Sequence, residues 1–241
     1  MNDFNTWPDF WNENLEKEFA EIALKKYPEE VLCFVTSNGK LLELPNLSKT
    51  PEDDFLCAAT PEVIAASVGI IHTHPDADVR PSELDCITQI QLDFPSGIMS
   101  VSSDSTSESC WFGDHLLNKP LIGRPFLHVV YDCYSLIRAY FWQTRGVLLN
   151  DYPREDDWWN SGEDLYESNF KKEGFVEVDT SKGIEPGYCF LMKVHSRVVN
   201  HAAIYLGDNK ILHHLHGRLS RVDNYSSWAK IVDKVVRLPV D

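Results

Sequence analysis

The stretch Ile70–Asp85, IIHTHPDADVRPSELD, holds residues whose types and spacing suit metal chemistry. His72 and His74 lie two apart, a polar loop follows, and Ser82 and Asp85 lie three apart. Alternate residues of a strand share a face, so the two imidazoles point the same way. A helix beginning near Ser82 brings Asp85 to the same place. Two imidazoles and a carboxylate form a three-ligand set for zinc, with a fourth position open to water. Such an ion polarises a carbonyl and acidifies its bound water. A further carboxylate is needed to take the proton, and Ser82 is placed to donate to a developing oxyanion. Each residue alone has a plainer explanation: strand-end histidines, and a helix cap of the capping-box kind at Ser82 and Asp85. The joint spacing favours the metal.

A second chemistry is written at Asp132-Cys133, which opens a predicted helix. The N–H groups and macrodipole of a helix N-terminus favour thiolate over thiol. A nearby imidazole completes an activated nucleophile. His201 and His213 lie on consecutive predicted strands, but His128, His195, His214 and His216 are also present. A lone cysteine is more often a buried structural thiol, so the case rests on what surrounds it.

The elements that must position these groups follow from periodicity and breakers. Trp11–Tyr27 reads as a helix with Leu15, Phe19 and Ile22 on one face, stopped by Pro28. Val31–Thr36 and Leu41–Leu44 form a hairpin around Ser37-Asn38-Gly39-Lys40. A brief helix over Pro61–Ala66 precedes the strand Val68–His74. The helix Ser82–Phe94 is expected to turn Leu84, Ile87 and one of Ile90 and Gln91 inward, and Gly97–Ser102 is a further strand. Further on come helices over Tyr131–Thr144 and Leu165–Gly174, then strands over Phe175–Val178, Tyr188–Val194, Asn200–Leu206 and Lys210–His216. The connector composition of Gly113–Arg124 divides the chain. The expectation is an α+β protein of two domains, residues 1–113 and 125–241, with a linker at 114–124.

Bulk properties exclude several classes. A formal net charge of −15 disfavours nucleic acid and anionic membrane surfaces. No apolar run approaches the length of a membrane span, and Met1–Asn5 shows no secretory signal. Six scattered cysteines without a C-x-x-C pair fit a reduced, cytosolic compartment.

The pattern H-x-H-P and S-x-x-D, with seven residues between His74 and Ser82, resembles the JAMM (MPN+) metallopeptidases. That resemblance implies an α/β sandwich, His72, His74 and Asp85 as Zn2+ ligands, Ser82 as oxyanion donor, and a glutamate on a preceding element. Glu30 in YPEEVLC is the best match, with Glu29 as its competitor. Leu32 and Cys33 stand where relatives of that family carry Cys-Gly.

The strings VYDCYSL, GYCFLM, NHAAIYLG and ILHH resemble the NlpC/P60 cysteine peptidases over most of Leu121–Val235. The implied fold is papain-like α+β, with Cys133 as nucleophile, His201 as general base and His213 orienting the base. A plain two-residue turn at Asp208-Asn209 pairs Ile204 with His213 and turns His213 away from His201. His213 therefore needs a bulge; without one, His214 faces His201.

The two domains in this order resemble tail tip assembly proteins of long, non-contractile-tailed phages. GRPF, DYPR and Trp158-Trp159 also match that family. Such a protein meets other tail tip proteins and cuts peptidoglycan stem peptides. It works in the host cytoplasm during assembly and at the virion tail tip, with an unnamed (iso)peptide substrate for the first domain. The competing expectations are a non-catalytic assembly factor and a deubiquitinase-like enzyme.

Overall fold

The computed structural model describes residues 5–239. Met1–Phe4, which bear most of the segment read for a secretory signal, lie outside the described residues. Contacts divide the chain into two compact units, one spanning Asn5–Leu116 and the other beginning at Leu117. Residues 119–124, expected as linker, are part of the second unit. Arg124 is buried there. Its Nε donates to the Pro120 carbonyl at 2.6 Å and its Nη2 to the Lys119 carbonyl at 2.7 Å, while its backbone N–H donates to Ser220 Oγ at 2.8 Å. A buried guanidinium needs such acceptors, which ties this stretch down.

In the first unit, Asn12 caps helix α1 (Glu13–Lys26) by accepting from the Asn14 and Leu15 amides. Strands β1 (Leu32–Thr36), β2 (Leu41–Leu44), β3 (Ser67–Pro75), β4 (Ser96–Val101) and β5 (Cys110–Phe112) form a sheet in the order β2-β1-β3-β4-β5. The short helix α2 (Pro61–Ala65) leads into β3, and α3 (Glu83–Leu92) is the crossover to β4, which pairs parallel with it. Alternation assigns the two faces. Cys33, Val35, Ile71 and Met99 pack with Leu15, Phe19 and Ala23 of α1. Leu32, Phe34 and Ile70 pack on the other face with Val63, Ile64 and Leu92. His72 and His74 share the parity of Ile70, so they fall on the face that α3 covers. Gly97 is required by packing: a Cβ there would lie 2.7 Å from the Trp111 ring. Strand β5 escaped sequence reading because it is three residues long and follows an aperiodic polar run.

The second unit sets α4 (Cys133–Arg145) against a six-stranded sheet. Its strands are β6 (Val176–Glu177), β7 (Cys189–Met192), β8 (His201–Gly207), β9 (Lys210–His213), β10 (Arg221–Asn224) and β11 (Val232–Arg237), in the order β10-β9-β8-β7-β11-β6. Helix α5 (Leu165–Asn169) lies between α4 and the sheet strands in sequence. Leu136, Ile137 and Phe141 of α4 pack with Cys189, Leu191, Ala202, Ile204 and Leu212. Phe190, Met192, Ala203 and Ile211 form the opposite face with Tyr225 and Trp228. Strands β10 and β11 were not read from the sequence. All six cysteines are free thiols. No helix among the described residues is long and apolar enough to cross a membrane.

Candidate active sites

In the first unit, α3 opens on a capping box. The Asp85 amide donates to Ser82 Oγ at 3.2 Å, and the Ser82 amide donates to Asp85 Oδ2 at 2.8 Å. This cap does more than end a helix, because it aims Asp85 at the β3 histidines. His72 Nε2 lies 3.1 Å from Asp85 Oδ1, His74 Nε2 lies 3.5 Å from Asp85 Oδ2, and the two Nε2 atoms are 3.1 Å apart. The same rotation of α3 buries Cys86 and Gln89 and leaves Leu84 63% and Ile90 38% exposed, which corrects the expected inward face. Ser82 Oγ donates to Asp85 Oδ2 at 2.8 Å, so its hydroxyl is engaged with the carboxylate here.

The donor set fits a zinc ion. Ligand atoms about 2.0–2.1 Å from a tetrahedral centre stand about 3.3–3.4 Å from one another; the two imidazole nitrogens are 3.1 Å apart, each lies within 3.5 Å of one of the two Asp85 oxygens, and one donor atom from each residue falls within 4.8 Å of the others. His74 Nδ1 donates to the Asp78 carbonyl at 2.8 Å, which leaves the Nε2 lone pair facing the cluster, as metal-ligating histidines require. Of the two candidate glutamates, Glu30 is half-buried and Glu29 is exposed. Burial raises the Glu30 carboxyl, against the opposing pull of His72 and His74, and Asp85 adds to the rise. Glu30 is thus electrostatically coupled to the cluster.

In the second unit, Asp132 caps α4 by accepting from the Ser135 amide at 2.8 Å. Cys133 therefore occupies the first helical position and lines a pocket of about 420 Å³ together with Asp132, His201, Tyr166 and Trp158. The thiol's hydrogen bond runs to the Tyr166 hydroxyl, 3.2 Å away. Among the described residues none joins Cys133 to His201. Burial, with the Asp132 charge beside it, pushes the Cys133 thiol up to about 11, against the lowering influence of Tyr166. Burial, with His213 and His214 close by, pushes His201 down to about 3. Desolvation thus works against the negative charge that the helix N-terminus favours at sulfur, and against an imidazolium at His201.

The register of β8 and β9 chooses between His213 and His214. Asp208 and Asn209 both have positive φ, 49° and 60°, as in a type I′ hairpin turn. The ladder shifts between Tyr205 and Gly207, and Ala203 pairs with His213. That is the required bulge. His201 Nε2 consequently lies 3.1 Å from His213 Nδ1. His214, on the other side, sits against Phe126 and shares its Nε2 with the Arg218 carbonyl at 3.1 Å.

Three residues of this site were missed in the sequence. Asp223 Oδ2 lies 3.2 Å from His213 Nε2. Tyr166 is brought to Cys133 by α5. Arg154 donates to Asp132 through Nε and Nη2, each at 2.9 Å. Arg154 lies in the DYPR string, whose sequence alone gives it no role.

The NlpC/P60 family model matches residues 122–237. Tail tip assembly protein K of Escherichia phage N15 is 34% identical over 230 residues, which is 89% of this chain and 90% of that protein. Tail tip assembly protein K of Escherichia phage lambda is 35% identical over 182 residues, 75% of this chain and 84% of that protein. Among solved structures, an NLP/P60 family protein similar to a lipoprotein, from Staphylococcus aureus subsp. aureus Mu50, is 18% identical with a TM-score of 0.35, over 50% of this chain and 38% of that one.

Proposed function

The chain belongs to the family of the phage tail tip assembly protein K, with an NlpC/P60 domain over residues 122–237, and from that membership we propose that it serves in tail tip assembly and hydrolyses peptide bonds of host peptidoglycan stem peptides through Cys133. The observation that carries this reading is the placing of Cys133 at the start of α4, in one pocket with His201, which is linked in turn to His213.

Cys133 Sγ attacks the scissile carbonyl carbon while its proton passes to His201, and the carbonyl π pair moves onto oxygen. The Cys133 amide, at the start of α4 and outside the helix ladder, is a donor available to that oxyanion. Collapse expels the amine, which takes the proton back from His201 and leaves a thioester. Water, deprotonated by His201, then releases the acid and restores the thiol. Burial disfavours charge on both groups, so the proton is transferred as the substrate carbonyl is attacked. Aromatic walls at Trp158, Tyr134 and Tyr152, with carboxylates at Asp156 and Glu173, suit a peptide that carries a free amine.

The Tyr166 hydroxyl stabilises the sulfur as it becomes negative. A hydrogen bond to a charged acceptor contributes about 1.5–3 kcal/mol, so Tyr166→Phe is expected to slow Cys133 alkylation by iodoacetamide at least about tenfold near pH 8. Loss of the donor raises the thiol further, so the rate–pH curve moves to higher pH. An unmoved curve excludes this role for Tyr166.

In the first unit, His72, His74 and Asp85 would hold one zinc ion, which when bound supplies a Lewis acid and an acidic water. Glu30 is the carboxylate available to hold a proton beside it, toward a peptide or isopeptide bond. Metal analysis after dialysis is expected to give about one zinc per chain, with His72→Ala and Asp85→Ala each abolishing uptake. Protein that takes up no zinc removes the metal reading and leaves the cysteine site untouched. For the whole proposal, the test is digestion of purified cell walls by wild type and by Cys133 and His72 variants in parallel, with the released peptides identified by mass.

A further inference from the structure

The hydrogen bonds around His213 specify more than a triad. His213 sits on β9, 1% exposed, and both of its ring nitrogens are engaged. Nδ1 meets His201 Nε2 at 3.1 Å, and Nε2 meets Asp223 Oδ2 at 3.2 Å. Turning the ring over would set carbon atoms against both partners, so this orientation alone satisfies the network. Asp223 stands on the neighbouring strand, one diagonal step along the same face, where Arg221 pairs directly with His213. Arg221 Nη2 donates to Asp223 Oδ2 at 2.8 Å. Burial raises the Asp223 carboxyl, but Arg221 and His213 together hold it below its usual range, so Asp223 is a carboxylate and only accepts.

The rest follows by elimination. His213 Nε2 must carry a proton. A neutral imidazole protonated there has a bare Nδ1, which must accept from His201. His201 Nε2 must then carry its proton, and the bare nitrogen of His201 is Nδ1. From this geometry we propose that Asp223 is a positioning residue which, through His213, holds His201 as the Nε2–H tautomer and assigns Nδ1 as the nitrogen that takes the Cys133 proton. The last step rests on the cysteine peptidase reading; the tautomer assignment does not. In that step the S–H bond breaks and an N–H bond forms at Nδ1, and the same proton later passes to the leaving amine. Nε2–H stays bonded to His213 throughout, so no proton moves along the chain.

The surroundings keep His213 neutral. Burial lowers it, Asp223 raises it, and Arg221 and Arg218 lower it further. The charged and titratable groups around it are Asp223 and Arg221 from β10, His201 from β8 and Arg218 from the loop between β9 and β10. Trp228 packs edge-on, 4.5 Å from the His213 ring centre.

The experiment is ¹⁵N-histidine NMR of the full chain, with resonances assigned by single His→Gln variants, beside cell-wall hydrolysis across pH. In wild type, both His201 and His213 are expected as Nε2–H tautomers. Asp223→Ala removes the acceptor. His213 is then expected to lose its fixed tautomer, His201 to follow, and kcat to fall about 100-fold with a changed pH profile. Asp223→Asn keeps an amide oxygen held by Arg221, and is expected to retain the tautomers and restore activity to within about tenfold of wild type. Arg221→Gln leaves the carboxylate in place and is expected to retain both tautomers. Wild-type His201 protonated at Nδ1, or an Asp223→Ala protein with unchanged tautomers and pH profile, overturns the assignment. A wild type that digests no cell wall sinks the peptidase reading, and the NMR comparison still decides the tautomers.

Discussion

Cys133→Ala is expected to abolish release of stem-peptide fragments from purified cell walls, with a loss on the order of 10⁵-fold or more in rate. The size follows from the chemistry. Without sulfur there is no thioester, and attack by bulk water lacks the pre-positioned nucleophile at the start of α4. His201→Ala is expected to lose a comparable factor, because the resting Cys133 is a thiol pushed up to about 11 and needs a base to take its proton. The double variant is expected to be no worse than either single one, since groups that act as a unit lose their effect together. The fold should persist, because Cys133 is only partly buried and its helix is capped by Asp132, not by the thiol. Undiminished digestion by Cys133→Ala excludes Cys133 as nucleophile and leaves a non-catalytic assembly factor. Tails that assemble with this variant would show that assembly and hydrolysis are separate tasks.

The second large effect is on stability. Asp132 and Arg154 are each 4% exposed. Arg154 donates to Asp132 Oδ2 through Nε and Nη2, to Asp151 Oδ1 at 2.9 Å, and to the Tyr152 carbonyl at 2.7 Å. Burial alone would raise the Asp132 carboxyl, but Arg154, His128 and the Ser135 amide hold it well below the usual range. Arg154→Met leaves a buried carboxylate without its main partner, a change that costs about 3–5 kcal/mol. The urea midpoint of the second unit is expected to fall accordingly.

The pH dependence has a definite sign. In wild type, a depressed Asp132 contributes stability that is fully present above its unfolded pKa and is lost as pH falls through the folded one. In the variant, Asp132 loses the group that depressed it and protonates at higher pH, so the gap between the two proteins narrows as pH drops. Adding Asp132→Asn to Arg154→Met is expected to recover part of the loss. A pH-independent difference, or one under about 0.5 kcal/mol, shows that the pair is not what holds the start of α4.

The legible parts of both sites are the local ones. His72 and His74 share a face because a strand repeats every two residues, and Asp85 joins them because Ser82 caps a helix. Asp132 and Cys133 announce a helix N-terminus in the same way. These are relations between residues two or three apart, and their geometry is set by the local backbone.

The bounds of α1, α3, α4 and the β1–β2 hairpin were readable for that reason, to within a residue or two. The orientation of α3 was not. Hydrophobicity places Leu84 inward, whereas the direction of Asp85 leaves it exposed.

What only the tertiary structure decided lies between distant residues. Composition offers His213 and His214 equally, and a single extra residue at Leu206 in the β8–β9 ladder chooses His213. Glu30 and Glu29 are adjacent and alike in type; Glu30 is half-buried and Glu29 is exposed. Asp223, Tyr166 and Arg154 stand 10, 33 and 22 residues from the groups they touch. Asp223 was further hidden because β10 is four residues of weak alternation. The sequence by itself determined which residues could do chemistry and which local element presents each one. The packing of strands and helices against one another decided their register, the partners they meet and the protonation they carry, because those depend on contacts and burial that no local period encodes.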